Sequence, residues 1–238
     1  MSTTTQDWPT QLRLPGQAAA PDGSVDMQMM YVMHHAFRRD LEKFARAARH
    51  TPVEDRTTWR LLAARWEIFA EILHKHHSGE DAGLWPWLLE HGTAEDRSTL
   101  EAMEAEHSEI DPLLAGCTEG LTRLAEHADE DARAALAVRL VATRDSLARH
   151  LAHEETDAIA ILQRLMTPEQ WVALDEEFFK ERMTLRFVAA VVPWAAYGVP
   201  REALDRVFAQ TGAGFKLVWL ATRKRFAARE ARTFQYAG

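Results

Sequence analysis

Two stretches of this chain read as amphipathic helices, and each carries the same polar interruption on its apolar face: a histidine and, one turn later, a glutamate. The first pair is His76 and Glu80, in HKHHSGEDAGLWPWL (residues 74–88); the second is His150 and Glu154. Leu62, Phe69, Leu73, Leu84 and Trp87 share the first stripe at helical spacing, and Leu140, Leu147, Ile161 and Leu165 share the second, so both pairs point inward. Burying polar groups without partners costs several kcal/mol. A chain with two such interruptions must fold so that they meet something that needs them.

The pairs are offset by 74 residues (150 − 76 and 154 − 80), and a single histidine precedes each, His34 and His107, offset by 73. Sustained strand alternation is absent and helical periodicity dominates. Helices are expected from about Asp26 to the stop at Pro52, from Asp55 to Glu90 with Gly92 as cap, from Thr93 to Glu126 with a bend at Pro112, and from Asp131 to Met166. The positions midway between His34 and His76, between Glu80 and His107, and between His107 and His150 fall in the three breaks. In an up-down-up-down bundle, residues equidistant from a turn share one height, so all four helices bring these groups to one level of the core.

The expected fold is therefore all-α: an antiparallel four-helix bundle over residues 26–166, a flexible lead over 1–25, and a helical annex over 167–238. TPEQ (167–170) has the form of a capping box with proline at the first helical position, and should open a helix running to about Ala190. Shorter helices are expected over about 200–210 and 213–232.

Four imidazoles and two carboxylates converging from four helices make a two-metal site with duplicated halves. Nitrogen and oxygen donors without thiolate suit iron, manganese or zinc. A carboxylate from each half can bridge two cations and compensate their charge.

The segments MHHAFRRDL, HHSGEDAGLWPWL, EAEHSEIDPLL and RHLAHEETDAI, spread over about residues 27–166, resemble the hemerythrin-like (HHE cation-binding) family of the H–HxxxE–H–HxxxE type. The resemblance implies a non-haem di-iron centre bridged by Glu80, Glu154 and an oxo or hydroxo group, with His34, His76, His107 and His150 as terminal ligands; manganese or zinc fits it less well. Oxygen-carrying hemerythrins have a further histidine one turn before the one matched by His107. This chain has Met103 there, which leaves that ligand position to water or an exogenous ligand and argues against simple oxygen carriage.

Several neighbours carry two readings. His77 has no counterpart in the repeat, because Leu151 stands 74 residues on; it is read as an outer hydrogen-bond donor in preference to a weak ligand. His153 lies near enough to His150 on the helix for an outer-shell bond. Tyr31, one turn before His34, is either a donor towards the metals or a core aromatic. His35 should face away when His34 faces in. Asp81 and Glu155 repeat at the same offset of 74, as outer partners or as solvated charges.

A net charge of −8 argues against nucleic acid as a partner, although residues 201–238 hold eight Lys/Arg against three Asp/Glu. One cysteine, Cys117, rules out an intrachain disulfide and fits a reducing cytoplasm. The N-terminus lacks the pattern of a signal peptide, and the apolar run from Phe187 is broken by Pro193, so no membrane association is expected. The expected function is di-iron chemistry on peroxide, oxygen or nitric oxide, catalase- or peroxidase-like, with the annex shaping access to the metals. Oxidation of an organic substrate is open if the annex forms a pocket. The alternative is an oxygen- or iron-binding or redox-sensing module without turnover.

Overall fold

The computed structural model describes residues 8–180 and 184–238. All regular structure among the described residues is helical, and the long helices form the expected bundle. Helix α1 spans Gln28–His50, α2 Arg56–Gly79, α3 Trp85–His91, α4 Ala94–Glu126, α5 Glu130–His153 and α6 Ile159–Leu165. The annex contains α7 (Pro168–Leu174), α8 (Leu185–Ala196), α9 (Arg201–Thr211) and α10 (Ala213–Thr233). No helix among the described residues is long and apolar enough to cross a membrane.

Local chemistry sets the ends. Asp55 caps α2 by accepting from the Thr58 N–H (3.1 Å), Asp129 caps α5 by accepting from Ala132 N–H (2.9 Å), and Asp96 accepts from the Thr93 N–H (2.8 Å) at the start of α4. The capping box expected at Thr167 and Gln170 is present, but the helix it opens gives way after Leu174 to a π-helical turn, Asp175–Phe179. The expected continuation to Ala190 passes through 181–183, outside the described residues, and α8 begins separately under a Thr184 cap. Pro112, expected to bend the third helix, lies on the exposed side of an uninterrupted α4.

The second and fourth long helices are not regular throughout. Glu80–Leu84 joins α2 to α3 as a π turn, with the Trp85 N–H reaching back five residues to the Glu80 carbonyl. Glu154–Ala158 joins α5 to α6 in the same way, Ile159 donating to Glu154. Each π turn begins at the glutamate of a repeated pair. Periodicity places residues on a helical face but gives no sign of the one extra residue in the turn.

Helix α1 packs along α5, α5 along α4 and α4 along α2, while α1 and α2 touch much less. The annex fills that opening. Trp194 of α8 is fully buried against Phe37 (ring centroids 5.3 Å), and its indole N–H donates to Asp40 (2.8 Å). Burial alone would raise the Asp40 pKa, but Arg65 and Arg39 beside it hold the carboxyl below its ordinary range. Glu230 of α10 accepts from Lys43 (3.1 Å) and Arg65 (3.4 Å), and Phe234 meets Phe44 at 5.1 Å, which ties the annex to both helices.

The lead expected to be flexible is packed from Gln11 onward. Leu12, Leu14, Ala20 and Val25 are buried, and the Gln11 side chain donates to the Val25 carbonyl (2.9 Å) and accepts from the Met27 N–H (3.2 Å). A composition rich in Thr, Pro, Gly and Ala suggested freedom. The anchoring comes from a few apolar residues and from main-chain bonds made across the bundle.

Candidate metal centre

All six residues singled out by the repeat, His34, His76, Glu80, His107, His150 and Glu154, meet in the bundle core, each at most 5% exposed. They fall into two groups. One donor atom from each of His34, His76, Glu80 and Glu154 lies within 4.8 Å of the others, and the same holds for His77, Glu80, His107 and His150. Glu80 belongs to both: its Oε1 is 3.2 Å from His76 Nε2 and its Oε2 3.6 Å from His107 Nε2.

His77 is the departure from expectation. The repeat gave it no counterpart and placed it outside the donor set, yet it is buried, with its Nε2 unpartnered and its ring stacked on His107 (3.8 Å between centroids). Met103, one turn before His107, is wholly buried and offers no nitrogen, and the second donor group takes its third histidine from His77 instead. The signal in the sequence was the coincidence of two oddities, an extra histidine beside His76 and a missing one before His107. Neither carries information alone.

Around the donors lies a set of carboxylates that fixes the imidazole tautomers. The Nδ1–H of His34 donates to Glu155 (2.9 Å), that of His107 to Asp81 (2.8 Å), and that of His150 to Glu106 (2.8 Å). The residue after each repeated glutamate thus serves a histidine of another helix. Glu106, which the repeat did not mark, also accepts from His153 Nδ1 at 2.8 Å. Glu155 is fully buried and further held by Arg38 (2.7 and 2.9 Å) and the Ala18 N–H (2.7 Å), so the packed N-terminal lead, a strap over the bundle, is tied to the His34 partner. His35 faces the strap, near the Pro15 carbonyl at 3.3 Å. Tyr31 is buried with its hydroxyl unpartnered, and burial, Glu155 and Glu154 all push its ionisation up.

With the Nδ1 of His34, His107 and His150 occupied, the Nε2 lone pairs of these rings turn inward. His34, His76 and His77 Nε2 and both oxygens of Glu80 and of Glu154 are buried without a hydrogen-bond partner. His107 and His150 place their Nε2 atoms 3.1 Å apart, and His34 Nε2 stands 3.1 Å from Glu154 Oε2. Donors about 2.1 Å from one cation and at right angles stand about 3 Å from each other, so these spacings match the cis positions of a coordination shell. The charge pattern is consistent. Burial depresses His76 and His77 well below the ordinary imidazole range. Burial and the neighbouring Glu154 raise Glu80 well above the carboxylate range. Burial would also lower His34, but Glu154 and Glu155 facing it raise it to about 9. Two carboxylates forced together in a dry core need positive charge between them.

No curated protein matches this chain, and no solved structure does. A family model described as the hemerythrin HHE cation binding domain matches residues 26–162, from just before α1 into α6. Two donor groups share a glutamate at the level where all four helices converge, and with that match they show that the chain belongs to the hemerythrin HHE cation-binding domain family.

Proposed function

We propose that the chain is a non-haem di-iron protein that reacts with peroxide, oxygen or nitric oxide. In this reading His34, His76 and Glu154 would hold one iron, His77, His107 and His150 would hold the other, and Glu80 would serve both. The observation that carries it is Glu80, whose two unpartnered oxygens face histidines of different donor groups. Nitrogen and oxygen donors without a thiolate suit iron, manganese or zinc, and the resemblance to hemerythrin-like proteins favours iron among them. When bound, two adjacent irons supply one-electron redox steps that together exchange two electrons with a small oxidant.

The chain's own residues do the rest. Asp81, Glu106 and Glu155 hold the imidazoles in the tautomer that leaves Nε2 free. The surrounding apolar core, including Phe37, Met103 and Leu147, keeps bulk water away from the donors. The test is metal content per chain on protein purified without added metal. Two irons support the reading; one zinc, or no metal after reconstitution with ferrous iron, overturns it. Peroxide added to the iron-loaded protein then separates turnover from a centre that is merely bleached.

A further inference from the structure

We propose that Phe178 and Phe179 of the annex form the wall that limits the ligand of this centre to molecules of two or three heavy atoms, such as peroxide, dioxygen or nitric oxide, and excludes organic substrates. The inference rests on the metal reading above and deepens it.

The cluster is sealed unevenly. His34, Glu80 and Glu154 are wholly buried, whereas His76, His77 and His107 keep 4–5% exposure. The shallow side is therefore the end of α2, where the chain continues as Gly79, Glu80 and Gly83. Both glycines are buried, and neither has a conformation that demands glycine. What demands it is the annex. A Cβ on Gly79 would come within 2.8 Å of the Phe179 ring, and one on Gly83 within 2.5 Å of the Phe178 ring. The two rings thus rest on bare backbone, directly over the π turn that begins with Glu80.

Phe179 also stands 6.4 Å from the His76 ring between centroids, and Phe37 from α1 stands 5.3 Å from it. Trp171 supports Phe179 from behind at 6.1 Å. The annex could have formed a substrate pocket beside the metals. Instead it spends two aromatic side chains closing the shallow side, and the glycines let those rings approach more closely than any other residue would. Phe178 keeps 37% exposure, so its outer face meets solvent.

The experiment uses cobalt(II) on the metal-free full-length protein, read by its visible absorption. The proteins are wild type, F178A/F179A, and Gly83→Ala, which keeps the rings but displaces Phe178. Val172→Ala, an exposed annex position, is the control. Two cobalt ions bound per chain in the wild type sustain the metal reading; none overturns it. Given binding, azide should perturb the wild-type spectrum and benzoate should not, while both perturb that of F178A/F179A. EDTA should strip cobalt from F178A/F179A and Gly83→Ala at least about tenfold faster than from wild type or Val172→Ala. Benzoate acting on the wild type, or equal stripping rates in proteins that melt alike, overturns the wall and leaves the metal reading standing. Should F178A/F179A fail to fold, Gly83→Ala decides by its stripping rate.

Discussion

His107 and His150 point their Nε2 atoms at each other across 3.1 Å, while the Nδ1–H of each ring is committed to a carboxylate, Asp81 for one and Glu106 for the other. Neither Nε2 then has a proton to share, so the contact is repulsive until a cation lies between the lone pairs. Metal binding should therefore stabilise the fold. At free metal a hundredfold above Kd the gain is about 2.7 kcal/mol, a Tm rise of roughly 5–10 °C for a chain of this size. Thermal melting with and without a chelator measures it, and an unchanged Tm would refute the assignment.

Asp81→Ala should weaken metal binding about 10–100-fold, because His107 loses the partner that fixes its tautomer and ring angle. Asp81 is a third exposed, so the fold should survive the change. Competition against a chelator of known affinity gives the number. Equal affinity in the variant and wild type would mean that the carboxylate only decorates the surface.

Trp194→Ala should cost about 3–5 kcal/mol. The indole fills the opening between α1 and α2 and supplies Asp40 with one of its donors, so the variant gains a cavity and loses a bond to a buried charge. Urea unfolding followed by circular dichroism is the measurement. A loss below about 1 kcal/mol would show that the annex is not an integral part of the bundle core.

Asp96 links the start of α4 to Arg164 at the end of α6, and those contacts have a pH signature. Hydrogen bonds from Arg164 (2.6 Å) and from Thr93 lower the Asp96 pKa from 3.8 to about 2. A carboxyl whose folded pKa is depressed stabilises the fold fully above its unfolded value and loses that contribution as pH falls through the folded one. The melting temperature of Asp96→Asn should lie below that of the wild type at neutral pH, and the gap should close between about pH 4 and pH 2. A gap that persists at the acid end would assign the effect to shape and not to charge.

The bundle and the level of its centre were legible because His34, His76, His107 and His150 sit at matching distances from three turns that Pro52, Gly92 and the 127–131 loop announce. Asp81 and Glu155 were half legible: their shared offset was visible, but a contact from one helix to a histidine on another was not. His77 was hidden because an adjacent residue lies about 100° round a regular helix from His76, so periodicity cannot bring both inward. The strap was hidden for a different reason. Its attachment runs through main-chain groups such as the Ala18 N–H, which are the same in every sequence.

The π turn after Gly79 makes the centre sensitive to chain length as well as to residue identity. Its extra residue can be removed without a break, since Glu80–Leu84 would simply close up into ordinary α-helix. Trp85 already bonds back to the Glu80 carbonyl, so the helix beyond the turn would keep its face towards the core. The change would fall inside the turn, on Asp81, which holds the His107 ring, and on Gly83 beneath Phe178. A one-residue deletion here is mild for the helix and severe for the carboxylates that hold the imidazoles, and the turn at Glu154–Ala158 carries Glu155 in the same way. Between these two points and the caps, the spacing of the centre is written in residue counts.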